Sequence, residues 1–119
     1  MKSLTIVVAD DDESLLTSLA QLLRLCGHTV HMAHDGIEAL ALCRAQIPDS
    51  ALLDIDMPGL TGWDVATALT VAGEVCPTRL VALSGRASRQ DRERSRVAGF
   101  HAHCTKPAEP AELLRLLGA

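Results

Sequence analysis

The 119-residue sequence predicts an α/β fold in which a parallel sheet is wound on both faces by helices. Three observations predict it. Short apolar runs alternate with helix-period segments along the whole chain. The runs are continuously apolar, as strands buried on both faces require. Alternation of this kind joins parallel strands through right-handed crossovers.

Each element has a local reason. Leu4 to Ala9 is an apolar, β-branched first strand. The acids Asp10 to Glu13 follow, and then Leu15, Leu19, Leu22, Leu23 and Cys26 recur on one helical face until Gly27 stops the helix. Thr29 to Ala33 is the second strand. After the Asp35-Gly36 turn signal, Ile37 to Gln46 is the second helix, with Ile37, Leu40 and Ala41 on its apolar side, and Pro48 ends it. Ala51 to Ile55 is the third strand, and Pro58, Gly59 and Gly62 mark the loop before a helix from Trp63 to Ala72. Leu80 to Leu83, Ser88 to Ala98, His101 to Cys104 and Pro110 to Leu117 complete the pattern as strand, helix, strand and helix.

Composition narrows the function. The length is that of one domain, here residues 1–119. Aromatic residues make up 2%, Trp63 and Phe100, so the core is aliphatic, and base-stacking platforms for single-stranded nucleic acid are missing. The formal net charge of −4 gives no general attraction to phosphate backbones, and no direct nucleic-acid partner is expected. No apolar stretch approaches a membrane span and no secretory signal is visible, so a cytoplasmic location is expected. Cys26, Cys43, Cys76 and Cys104 form no CxxC pair and read as small, reduced core residues. His28, His31 and His34 lie three residues apart, but strand alternation keeps them from converging on a metal.

In this architecture ligands bind at the carboxyl ends of the strands. Strand one ends in Asp10-Asp11, strand three around Asp54, strand four in Ser84, and strand five runs into Lys106-Pro107. Each alone has an ordinary reading as a helix N-terminus, a turn or a loop. Together they place three carboxylates, a hydroxyl and an ammonium at one sheet edge. Clustered carboxylates repel unless a hard cation such as Mg²⁺ neutralises them. A carboxylate between a divalent cation and a lysine suits phosphoryl transfer.

Four segments in matching order carry a family resemblance. They are Val7-Val8-Ala9-Asp10-Asp11-Asp12-Glu13, Leu52-Leu53-Asp54-Ile55-Asp56-Met57-Pro58-Gly59-Leu60-Thr61-Gly62, Ala82-Leu83-Ser84-Gly85 and Thr105-Lys106-Pro107. The chain resembles a CheY-like response-regulator receiver domain over essentially its whole length. The resemblance implies a (βα)5, flavodoxin-like fold with strand order 2-1-3-4-5. It implies Asp54 as phosphoacceptor, with Asp10, Asp11, Asp54 and the backbone carbonyl of Asp56 around Mg²⁺. Ser84 and Lys106 would hold phosphoryl oxygens, and the Lys106–Pro107 bond would be cis. It also implies a histidine kinase or histidine phosphotransfer protein as donor, and catalysis limited to the domain's own phosphorylation and dephosphorylation.

The departures from the family are specific. His103 stands where a Tyr or Phe switch residue is usual, alongside Ser84 as the moving hydroxyl, and an imidazole there would make the switch pH-sensitive. Asp56 and Arg86 flank the site and are expected to pair across its mouth, restricting attacking water. Helix four gathers Arg86, Arg89, Arg92, Arg94 and Arg96 against Asp91 and Glu93, a basic stripe in an acidic chain. That stripe suggests an acidic effector at helix four, strand five and helix five. Two alternatives compete: a haloacid-dehalogenase-like phosphatase using Asp54 and Asp56, and a receiver-like binding module that takes no phosphate. The segment Ala98 to His103 is similar to receivers carried by hybrid sensor kinases, and no effector domain is expected within these residues.

Overall fold

The computed structural model describes residues 2–70, 76–86 and 88–119. The elements in chain order are β1 (Thr5–Ala9), α1 (Glu13–Leu25), β2 (Thr29–Ala33), α2 (Gly36–Gln46), β3 (Ser50–Asp54), α3 (Gly62–Thr70), β4 (Arg79–Ser84), α4 (Arg89–Ala98), β5 (Ala102–Thr105) and α5 (Pro110–Leu117). The end of the third helix expected at Ala72 lies outside the described residues. All strands are parallel, in the expected order β2-β1-β3-β4-β5.

The sheet is buried on both faces because its side chains alternate between two cores. Ile6 and Val8 of β1, Leu52 of β3 and Val81 and Leu83 of β4 meet α1 and α5 through Leu16, Leu19, Leu23, Leu113 and Leu117. Val7, Ala9, Ala51, Leu53, Leu80 and Ala82 face the other way, toward Ala39, Cys43, Trp63, Val65, Ala66 and Ala98 of α2, α3 and α4. Each fully buried aliphatic side chain contributes about 1.5–3 kcal/mol of transfer free energy.

Caps fix where the helices begin. The Asp12 carboxylate accepts from the Ser14 and Leu15 amides at 3.1 and 3.2 Å. Asp35 does the same for Glu38 at 2.7 Å, and Ser88 for Asp91 at 3.0 Å. Thr61 and Asp64 cap each other reciprocally at the start of α3. Along the free edge of β2, the Arg24 guanidinium donates to the Val30 carbonyl at 2.9 Å.

Two helix faces differ from expectation. The buried stripe of α1 is Leu16, Leu19, Ala20 and Leu23, and Cys26 is exposed rather than buried. Its helix has ended by then, so Cys26 no longer follows the buried stripe. In α2 the buried residues are Gly36, Ala39 and Cys43, whereas Ile37 is 63% exposed and Ala41 is exposed. Backbone contact sets that rotation. A Cβ on Gly36 would lie 2.0 Å from the Leu60 carbonyl oxygen, so only glycine permits this approach. Apolar residues surround α2 on every side, and periodicity could not choose among them. Cys76 is half-buried, while Cys43 and Cys104 are buried.

Ile47 ends α2 in the left-handed region, at φ 44° and ψ 62°, with its side chain 63% exposed. A β-branched residue is strained there and gains little burial in return. Ile47→Gly is therefore expected to stabilise the protein by about 1 kcal/mol. Equilibrium denaturation in urea checks this, and an unchanged or lower midpoint contradicts it.

Candidate functional site

Parallel pairing brings four strand ends to one edge. The register sets Ala9 beside Leu53, Asp54 beside Leu83 and Ser84 beside Thr105. Asp10 therefore emerges next to Asp54, and Lys106 follows at the adjoining strand end. The Lys106 amide donates to the Ser84 carbonyl at 2.8 Å, and the Lys106–Pro107 peptide bond is cis. Gly62 lets α3 start against β3, since a Cβ there would meet the Asp54 carbonyl oxygen at 2.6 Å.

The centre is an ion cluster almost without solvent. Asp10 is 0% exposed and Asp54 2%. The Lys106 ammonium lies 3.1 Å from an Asp10 carboxylate oxygen and 3.5 Å from one of Asp54. The other oxygen of each carboxylate accepts a nearby amide, Asp12 to Asp10 at 2.9 Å and Asp56 to Asp54 at 3.2 Å. Burial first, and then the charge of Asp10, push the Asp54 carboxyl up to about 7, although Lys106 and the Asp56 amide pull the other way. Burial draws the Lys106 ammonium down, but Asp10 and Asp54 outweigh it and leave it raised.

The exposed Asp11 completes a group with Asp10 and Asp54, each offering an oxygen within 4.8 Å of the others. All three ligands are hard oxygen donors, the set that Mg²⁺ takes. The Asp10 oxygen nearest Lys106 is buried and makes no well-aligned hydrogen bond, so it retains accepting capacity. The residues present thus fit a divalent cation. Among the described residues, His28, His31 and His34 form no such group. His28 is buried and accepts the Leu4 amide at 3.0 Å, whereas the exposed His34 reaches Glu13 at 2.9 Å.

Around this centre the remaining candidates divide. Ser84 is fully buried at the end of β4, and its hydroxyl accepts the Arg86 amide at 2.9 Å. The Arg86 guanidinium grips both Asp56 oxygens, at 3.0–3.2 Å, across the mouth of the site. The Asp56 carboxylate thus faces Arg86 while its amide faces Asp54. His103 does not reach the carboxylates. Its ring lies between the Ser95 hydroxyl at 3.2 Å and the Arg86 carbonyl at 3.0 Å. Ser95 also accepts the Trp63 indole N–H at 2.9 Å. Sequence reasoning passed over Trp63 and Ser95 as site-linked residues. The one available signal was a small uncharged residue, Ser95, inside the charged run of α4.

A buried aspartate pair beside a lysine, at the strand ends of a doubly wound sheet, is compatible with a phosphoacceptor type of signalling module. The response regulator receiver domain model matches residues 6–117. Response regulator MprA of Mycobacterium ulcerans is 37% identical over 117 residues, 98% of this chain and 50% of that protein. The chain spans about half the length of the curated relatives it matches. Among solved structures, the receiver domain of the putative response regulator NarL from Mycobacterium tuberculosis is 30% identical at a TM-score of 0.86, covering 97% of this chain and 93% of that one. Chemotaxis response regulator CheY4 of Vibrio cholerae is 26% identical at a TM-score of 0.89, covering 98% of both chains. The chain belongs to the response-regulator receiver domain family. The haloacid-dehalogenase alternative is not favoured, and the Asp56 carboxylate it needs as acid and base is engaged by Arg86.

The raised Asp54 carboxyl fixes a sign. Because its proton is held more tightly in the folded state, its contribution is full below about pH 4 and is lost as pH rises through about 7. In chelator, urea midpoints should fall between pH 5 and 8 for the wild type. They should stay flatter in Asp54→Asn, which should be the more stable by about 1–3 kcal/mol at pH 8. Parallel pH profiles would contradict this.

Proposed function

We propose that residues 1–119 form a receiver unit that accepts a phosphoryl group on Asp54 from a phosphohistidine of a histidine kinase or histidine phosphotransfer protein. The observation that carries the proposal is the Lys106 ammonium held between Asp10 and Asp54 at 3.1 and 3.5 Å. It supports a site built to gather negative charge beside a nucleophile. An Asp54 carboxylate oxygen attacks phosphorus, the N–P bond of the donor breaks with its electron pair left on the imidazole nitrogen, and the departing imidazole takes up a proton from solvent. Lys106 pairs with one phosphoryl oxygen, and the Ser84 hydroxyl donates to another. Asp10, Asp11, Asp54 and the Asp56 backbone carbonyl would hold Mg²⁺. The chemistry it supplies when bound is neutralisation of the carboxylates and of charge developing on the phosphoryl oxygens.

The same reading assigns the outer residues. Arg86 and Asp56, joined by two-pronged hydrogen bonds, narrow the approach of water to the acyl phosphate. His103 and Ser84 form the switch. The effector is an acidic protein surface meeting α4, β5 and α5, where Arg92 and Arg96 line a cavity of about 250 Å³ with His101 and His103. The protein works in the cytoplasm, and among its described residues no helix is long and apolar enough to cross a membrane.

With acetyl phosphate and Mg²⁺, intact-mass measurement should show one phosphoryl adduct in the wild type and none in Asp54→Asn or in chelator. Adduct formation that persists in Asp54→Asn would reject Asp54 as acceptor, and no adduct from any donor would favour the binding-module alternative. Arg86→Ala should shorten the lifetime of the adduct several-fold in a chase experiment. An unchanged lifetime removes Arg86 from water control.

A further inference from the structure

With a neutral imidazole, the hydrogen bonds around His103 admit one assignment. The Arg86 carbonyl can only accept, so the ring nitrogen 3.0 Å from it, Nε2, carries a proton. In a neutral imidazole the other nitrogen, Nδ1, is then an acceptor. The Trp63 indole N–H can only donate, so Ser95 Oγ accepts from it and is free to donate its own proton to Nδ1. The chain runs in one direction, from Trp63 of α3 through Ser95 of α4 and His103 of β5 to the Arg86 carbonyl. The amide of the same residue, Arg86, donates to the Ser84 hydroxyl.

These groups are placed to transmit. Ser95 is 1% exposed and Trp63 7%, so water cannot readily replace a lost partner in either case. The Trp63 ring is covered by cations, Arg94 at 3.9 Å and Arg86 at 5.8 Å from its centroid. Arg86 therefore joins three parts at once. Its amide reads the Ser84 hydroxyl, its carbonyl holds His103, and its guanidinium spans Asp56 and the Trp63 ring.

We infer that Arg86, His103, Ser95 and Trp63 form a directed hydrogen-bond relay that makes the seating of α3 and α4 depend on the partner of the Ser84 hydroxyl. An aromatic hydrocarbon ring at position 103 could swing, but it could not hold this relay, because it lacks both nitrogens. When Ser84 turns to donate to a phosphoryl oxygen, the Arg86 peptide must follow or let go. Where the backbone follows, its carbonyl moves relative to His103 Nε2, Ser95 is freed to rotate, and the polar partner of Trp63 changes. The relay rests on the Asp54 reading only for its stimulus. His103, Ser95 and Trp63 act here as positioning residues and touch no reacting atom.

The single tryptophan gives one indole N–H signal to read, and the 119-residue chain suffices for the test. Long-range ¹H–¹⁵N spectra of the wild type should show His103 as the Nε2–H tautomer. The Nδ1–H tautomer, or a ring carrying protons on both nitrogens, would overturn the relay, and this measurement needs no variant. A double-mutant cycle then reads coupling at the Trp63 indole signal. Ser84→Ala should shift that signal in the wild-type background and add no shift in the His103→Phe background. Equal shifts in both backgrounds would overturn the relay. In wild-type protein with acetyl phosphate and Mg²⁺, mass-verified phosphorylation should move the indole signal. Phosphorylation with no movement overturns the transmission. Absence of any adduct overturns the Asp54 reading instead and leaves the cycle to judge the relay.

Discussion

Two buried carboxylates, Asp10 and Asp54, sit within reach of one ammonium, that of Lys106, and the surrounding fold keeps them there. Left to themselves in a dry setting, like charges would separate or take up protons. Asp10 directly follows β1, Asp54 ends β3, and parallel hydrogen bonding locks the two strands in register. Lys106 is tied through its amide to the Ser84 carbonyl of β4, which fixes the backbone position from which its side chain reaches the carboxylates. The two aliphatic cores hold that sheet rigid and therefore carry the electrostatic strain. The result is a site with negative charge to spare beside a fixed cation, ready for a divalent metal and for an incoming anionic group.

Much of this was legible in the chain. Short apolar runs alternating with helix-period segments read as strands of a covered parallel sheet, and such a sheet brings its carboxyl ends to one edge. Asp10, Asp11, Asp54 and Lys106 are found where the alternation put them. Element bounds for β2 and α5 agree residue for residue. Helix rotation was harder to read. The backbone approach of Leu60 to Gly36, a contact distant in sequence, turns α2 so that Ala39 and Cys43 face inward and Ile37 faces solvent. No periodicity encodes such a contact.

The polar wiring behind the site was legible only at its ends. The identity of His103 flagged an unusual residue, and the arginines flagged an unusual helix. Their actual partners depend on side-chain directions. Ser95 lies on the inner face of α4 and meets Trp63 from α3 there, so an outwardly cationic helix has a hydrogen-bonded inner seam. The arginines also have individual occupations. Arg86 holds Asp56, Arg94 covers Trp63, and Arg96 pairs with Glu93. The net positive charge counted from the chain is therefore larger than the charge free to attract a partner.

The contact of Arg24 with Val30 bears on a different problem, that of keeping many copies of the protein apart. A free strand edge offers carbonyls and amides to any extended segment nearby, including the same strand of another molecule. On β2 the carbonyl that such a visitor would need first is already taken by a bulky, charged guanidinium anchored on α1. The strand itself is only five residues long. A side chain on a neighbouring helix thus protects the exposed margin of the sheet, and β2 needs neither proline nor a bulge to resist templated aggregation.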